Sequence, residues 1–331
     1  MCSVIKWADN GIAIVVARNM DWLEDMKSNL WLFPRGMHRT GLAGSSSLTW
    51  KSKYGSVITS AYDLASTDGM NEKSLAGHML WLAESDFGKR DENIPGLSIS
   101  LWLQFFLDNF AKVDEAVAFV KDHPFQLLPC ITGTSGKVSE VHMMIEDASG
   151  DAAIFEYLED GKQRIYHGKQ YNVMTNSPTF DRQLENLKQY QGFGGNKFLP
   201  GTTEAADRFV RAAYYQKSLP SKITTTREAI AGVISVARNV AQPFGTADRR
   251  RPNISSTRWR TVSDLTNRVY YFESTSSPYI IWVRLNEIDF SDGSPVKKID
   301  LVNGTDHVGN VSSEFKKEDS FEWAKPIIAG A

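Results

Sequence analysis

Met1-Cys2-Ser3-Val4-Ile5-Lys6-Trp7, followed by Gly11-Ile12-Ala13-Ile14-Val15-Val16-Ala17-Arg18-Asn19-Met20-Asp21-Trp22, is the stretch on which the reading of this chain turns. Gly11–Arg18 is rich in β-branched residues and short enough for a buried strand, with Ser3–Trp7 as its partner. Arg18 and Asp21 then stand at a strand end beside Cys2. Removal of Met1 before a small residue would leave Cys2 carrying both a thiol and a free α-amine. An α-amine titrates near ~7.7–8.0, so part of it is an unprotonated base close to neutrality. A thiol, near ~8.5, is the stronger nucleophile once ionised. Base and nucleophile on one residue make a minimal catalytic unit. The bland alternatives are an incidental cysteine near a frayed end and a surface Arg18–Asp21 ion pair, which is worth little.

Further along, Ser56–Tyr62 and Leu75–Leu82 read as strands, with Asp68-Gly69 and Asn71 as turn signals between them. Ser98 to Phe110 carries apolar residues at helical spacing, and Asp114 is placed as the cap of a short helix through Val120. Val141, Met143 and Ile145 alternate. The turn Asp147–Asp151 joins them to Ala152–Leu158 in a hairpin, and Arg164–His167 and Tyr171–Thr175 follow as strands. Glu204–Gln216 and Arg227–Val240 are helices, and Ser256–Val262, Val269–Glu273 and Tyr279–Leu285 return to strand. Regular βαβ alternation is absent, so a Rossmann-type sheet is not expected. Packed antiparallel sheets covered by helices, class α+β, fit this order, with residues 1–331 as one domain.

The whole-chain balance excludes several functions. A net charge of −2, from 37 basic and 39 acidic residues, gives no general field for nucleic acid. Arg249-Arg250-Arg251 before Pro252 reads as a solvated loop, with a rim for an anionic substrate as the lesser reading. No run of about 18 apolar residues predicts a membrane span. The first residues carry no secretory signal, so a cytoplasmic location is expected, or a periplasmic one if a leader has been trimmed. Six scattered histidines form no metal motif. Gly194-Gly195-Asn196-Lys197 is no Walker loop, and Gly133-Thr134-Ser135-Gly136 falls one residue short of a serine-hydrolase elbow. Neither a metal nor a cofactor is expected. The Asn-x-Ser/Thr triplets at Asn253, Asn303 and Asn310 carry little weight without a eukaryotic secretory route. Cys130, set between Pro129 and Ile131, reads as a buried structural thiol, and a thiol enzyme built on it with a histidine is a rival.

An ordered set of segments is more specific. Met1-Cys2, Ala17-Arg18-Asn19-Met20-Asp21-Trp22, Asn71-Glu72-Lys73, Thr175-Asn176-Ser177-Pro178-Thr179, Leu199-Pro200-Gly201 and Asp207-Arg208-Phe209-Val210-Arg211 together resemble the choloylglycine hydrolase family, which includes penicillin V acylases and bile salt hydrolases. Ser256-Thr257-Arg258-Trp259-Arg260-Thr261 resembles its Gram-negative branch. The resemblance implies an N-terminal nucleophile hydrolase with a four-layer αββα sandwich of two antiparallel sheets between helices, and a homotetramer. It implies Cys2 as nucleophile, Arg18 beside the thiol, Asp21 holding the amine, Asn176 in the oxyanion hole and Arg208 supporting the charge network. Trp22, Trp81 and Met20 fall to substrate binding. Read without the family, Asn176 would be a turn former before Pro178, Arg208 a helix-surface arginine, and the two tryptophans core.

Trp81 departs from the pattern: bile salt hydrolases tend to place Asn there and several penicillin acylases Tyr. At this position, therefore, only a backbone N–H could join Asn176 in the oxyanion hole. Trp22 and Trp81 together resemble the Gram-negative branch, where such tryptophans line the acyl pocket. The expected reaction is two-step acyl transfer on a linear amide. Penicillin V ranks first as substrate, N-acyl homoserine lactones second, and conjugated bile salts are the alternative. A non-catalytic binding protein on the same fold is the rival of another class.

Overall fold

The structure, a computed structural model, describes residues 2–133, 136–246, 255–303 and 306–327. Met1, Thr134-Ser135, the Arg249-Arg250-Arg251 run and Asn253 lie outside the described residues.

The opening hairpin is formed by Cys2–Trp7 and Val15–Asp21, paired so that Cys2 faces Met20 and Trp7 faces Val15. The second strand therefore starts later than expected and runs through Asp21. The cause is Asn10. Its Oδ1 accepts from the N–H groups of Ile12 (3.0 Å) and Ala13 (2.9 Å), and its Nδ2 donates to Ala13 O (2.7 Å). With Gly11 at φ +77°, this ties the residues after Asn10 into the connection. The strand is prolonged to Asp21 because its other edge pairs with Thr257–Asp264, Thr257 opposite Asp21.

Among the described residues the first sheet has seven strands, ordered Val173–Met174, Cys2–Trp7, Val15–Asp21, Thr257–Asp264, Val269–Ser274, Ile280–Arg284 and Gly309–Asn310. All neighbours are antiparallel except the last pair. The second has nine, ordered Lys162–His167, Ala152–Leu158, Val141–Glu146, Ala76–Trp81, Ala65–Asn71, Ser56–Ala61, Leu30–Phe33, Lys297–Ile299 and Lys316–Lys317.

Five α-helices are described: α1 (Trp102–Asn109), α2 (Val113–Asp122), α3 (Phe180–Leu187), α4 (Ala205–Lys217) and α5 (Thr226–Asn239). The faces of α4 and α5 cover the outer side of the first sheet, and α1 covers the second. The sheets pack on each other between them, so the architecture is the expected α+β sandwich of two antiparallel sheets between helices. At Gly232 a Cβ would lie 2.5 Å from the Trp7 ring, so α5 approaches the first strand as closely as it does only with glycine there.

Two local expectations are corrected. Asp68-Gly69 is no turn but the interior of the buried strand Ala65–Asn71. Gly69 pairs with Gly77 across the ladder. Together they leave room for Leu107 and Leu103 of α1, whose methyls would meet added Cβ atoms at 3.0 and 2.5 Å. Asn71 does end that strand, its Oδ1 accepting from Lys73 N and Leu75 N at 3.0 Å each. Asp114 is not a cap but lies within the first turn of α2. There the Val113 N–H donates instead to Asp147 Oδ2 (2.8 Å).

Candidate active site

Strand register builds the site. Cys2, Met20 and Trp259 stand in one row across three neighbouring strands, and Arg18 lies two residues from Met20 on the same face. The Cys2 Sγ is 3.6 Å from Met20 Sδ, and Arg18 Nη2 approaches the same Sγ at 3.5 Å. The guanidinium also reaches Met20 Sδ (3.6 Å) and is held by further contacts. Nη2 donates to Met79 O (2.8 Å), Nη1 lies 3.7 Å from Asp68 Oδ2, and the group stacks over the Trp259 ring at 4.6 Å. Arg18 is fully buried, so its charge acts on the sulfur without water between.

The other edge of the first strand brings in Asn176. Val4 faces Met174 and Ile5 faces Val173, and the same register carried two residues on sets Asn176 opposite Cys2. Asn176 Oδ1 accepts from Cys2 N (2.5 Å) and from Arg208 Nη2 (3.0 Å), while Nδ2 donates to Trp81 O (2.7 Å). Two donors on one side and a carbonyl on the other fix which way the amide points.

Arg208 reaches down from α4. Its Nη1 donates to Cys2 O (2.6 Å) and Ser3 Oγ (2.5 Å), its Nε donates to Thr203 O (3.1 Å), and Nη1 lies 3.7 Å from Asp21 Oδ2. Asp21 Oδ1 accepts from Thr257 Oγ1 at 2.6 Å. Burial pushes the Asp21 carboxyl above the usual carboxylate range, with the Arg208 charge pulling the other way. Burial likewise lowers Arg208, opposed by Asp21.

Cys2 opens onto a cavity of about 370 Å³, whose lining includes Met20, Trp22, Met26, Met79, Trp81 and Cys130. Trp22 is fixed by its Nε1, which donates to Tyr62 Oη (3.0 Å), and Tyr62 in turn donates to Glu24 Oε1 (2.5 Å). All eight residues singled out in the sequence thus converge on one place: Cys2, Arg18, Asp21, Asn176 and Arg208 in the polar cluster, Met20, Trp22 and Trp81 on the cavity wall. Four more belong with them. Tyr62, Asp68, Thr257 and Trp259 each contact one of the eight, and only the Trp259 segment carried a sequence signal.

Cys130 is fully buried against Ser139 (3.5 Å between Sγ and Oγ), and burial pushes its thiol up, the setting of an unreactive sulfur. Among the described residues no group of three His, Cys, Asp or Glu could hold a metal ion, and no helix is long and apolar enough to cross a membrane.

A buried thiol at position two, with an arginine at its sulfur and an amide at its nitrogen, fits a hydrolase with an N-terminal nucleophile, and residues 2–301 match the model of the linear amide C–N hydrolases, choloylglycine hydrolase family. This chain belongs to that family. It is 45% identical to a penicillin V acylase of Pectobacterium atrosepticum, over 94% of this chain and 88% of that one. It is 25% identical to a bile salt hydrolase/transferase of Clostridium perfringens, over 90% and 96%. The solved structure of a penicillin V acylase from Agrobacterium tumefaciens superposes with a TM-score of 0.88 at 46% identity, over 97% of this chain and 99% of that chain. Like its relatives, this family member is an enzyme that hydrolyses linear amides.

Proposed function

We propose that Cys2, once Met1 is removed, attacks the carbonyl of a penicillin-V-type amide and carries the acyl group as a thioester until water releases it. The observation that carries this reading is the placement of Cys2 Sγ 3.5 Å from Arg18 at the wall of an apolar cavity, with its nitrogen on Asn176. The freed α-amine takes the thiol proton and later passes it to the leaving amine. Arg18 favours the thiolate by charge. Asn176 Nδ2 spends one hydrogen on Trp81 O and offers the second to the oxyanion. Arg208 holds the first strand and the amide that faces it, and Asp21 holds the freed amine.

Penicillin V is favoured over bile salts on two grounds. The relatives at 45% and 46% identity are penicillin V acylases, against 25% for the bile salt hydrolase. Trp22, Trp81 and three methionines give a flat, adaptable lining suited to a phenoxyacetyl or fatty-acyl group. N-acyl homoserine lactones present the same acyl-amide chemistry and form the second substrate class. Parallel turnover of penicillin V, an acyl homoserine lactone and a glycine-conjugated bile salt is the test, and fastest turnover of the bile salt would reverse the order. We further propose a homotetramer, following the family resemblance, which light scattering of the purified protein would check.

A further inference from the structure

His142 lies on the strand Val141–Glu146, next to the cavity-lining Val141, and is buried. Its Nε2 is 2.8 Å from Thr175 O, and its Nδ1 is 3.2 Å from Glu156 Oε1. The same Glu156 oxygen accepts from Phe180 N–H at 2.9 Å. A carbonyl only accepts, so Nε2 carries a hydrogen and donates it to Thr175 O. Nδ1 then faces the Glu156 carboxyl oxygen. The ring is therefore engaged at both nitrogens and fixed in direction.

Thr175 is the residue before Asn176. The next peptide, Asn176–Ser177, is held by Gln183, whose Nε2 donates to Asn176 O (3.0 Å) and also to Thr175 Oγ1 (3.2 Å). Thr175 Oγ1 donates onward to Ala205 O at the start of α4 (3.0 Å). The backbone that carries the Asn176 amide is thus clamped at both its carbonyls, by a histidine from the second sheet and a glutamine from α3. None of these groups is placed to touch a substrate at Cys2 through a bond of its own.

We propose that His142, oriented by Glu156, is a positioning residue that aims the Asn176 amide at the oxyanion. The proposal rests on Asn176 being an oxyanion donor, as set out above. Oxyanion donors work only when pre-placed, and a shift of about 1 Å can cost roughly 100-fold in rate.

The test uses the full chain with Met1 removed and penicillin V as substrate. In His142→Gln the side-chain amide reaches the place of Nε2 and still donates to Thr175 O. In His142→Asn it reaches only the place of Nδ1. His142→Asn is expected to lower kcat by about 10- to 100-fold with KM within about threefold, and His142→Gln to restore most of the loss. Alkylation of Cys2 by iodoacetamide displaces iodide at a CH2 group and forms no oxyanion, so its rate is expected to fall far less than kcat in both variants. In an Asn176→Ala background His142→Asn is expected to cost nothing more.

Three results would overturn the proposal: wild-type kcat in His142→Asn, a loss equal in the Asn and Gln variants, or a loss that multiplies with Asn176→Ala. If His142→Asn fails to fold, Glu156→Gln replaces it, expected to lower kcat far more than it lowers the alkylation rate. An unchanged kcat there counts against the proposal. Turnover that survives Cys2→Ala would sink the reading of the site itself, which is a separate outcome.

Discussion

The side-chain oxygen of Asn176 lies 2.5 Å from the backbone nitrogen of Cys2, and the two residues stand opposite each other across the edge of the first sheet. One amide thus has its oxygen on Cys2 and its nitrogen toward Trp81. In the mechanism proposed above, its oxygen orients the group that becomes the base and its nitrogen donates to the oxyanion. Asn176→Ala removes both services and is expected to lower kcat by about 10²–10³ with a smaller change in KM. Asn176→Asp keeps the oxygen that faces Cys2 and Arg208 but sets a second oxygen against Trp81 O. It should be at least as slow as the alanine variant, and steady-state kinetics of the pair will show whether the nitrogen matters.

The intact mass of active protein should lack Met1. Cys2→Ala should lose turnover by more than about 10³-fold without a change in thermal unfolding, and Cys2→Ser should keep at most a weak residual rate. Activity in protein that retains Met1 would be the contrary result.

Trp22 owes its orientation to the Tyr62 hydroxyl. Tyr62→Phe deletes that acceptor, frees the Tyr62–Glu24 contact, and should raise KM for penicillin V by about 2- to 10-fold, the equivalent of one hydrogen bond, with kcat little changed. Trp81→Ala should instead shift the order of preferred acyl groups. Competition assays with acyl chains of several lengths would read this, and a variant that merely unfolds would assign Trp81 to the core.

His78 is buried between two carboxyl groups, with Nδ1 2.5 Å from Asp68 Oδ2 and Nε2 3.3 Å from Glu146 Oε2. Burial opposes its charge, but Asp68 and Glu146 outweigh burial and push it up to about 10 from the ordinary 6.5. A raised folded-state value means that the native protein binds the proton more tightly than the unfolded chain. The stabilisation is complete below pH 6.5 and is lost as pH rises through about 10. Denaturant midpoints should therefore fall across that interval. In His78→Asn the fall should be shallower and the midpoint lower below about pH 10, where both carboxyl groups lose a charged partner.

How much of this was legible in the sequence depends on range. Cys2, Arg18 and Asp21 could be read together because a hairpin links them and the strand period is short. Asn176 and Arg208 came only through the family resemblance. Nothing local separates an arginine buried under a helix from one on its surface, and Arg208 is buried only because α4 lies over the end of the first strand. Asp68-Gly69 was misread for the same reason. An Asp-Gly pair normally marks a turn, but here the aspartate is satisfied by His78, Arg18 and Tyr270, and the glycine by a helix 38 residues further on. His142 gave no signal because its partners, Glu156 and the Thr175 carbonyl, lie 14 and 33 residues away.

Asp68 also fastens the two sheets together. It belongs to the second, yet it receives the Tyr270 hydroxyl (2.6 Å) and lies 3.7 Å from Arg18, both from the first, while Thr59 meets Tyr270 at 2.8 Å. The cavity has one wall on each sheet, Cys2 and Met20 on one side and Met79 and Trp81 on the other. A bolt through both layers sets the gap between those walls, so the slot behaves as a fixed gauge. An acyl group is measured against a width already set before it arrives, and a change at Thr59 or Tyr270, neither of which lines the cavity, would recalibrate it.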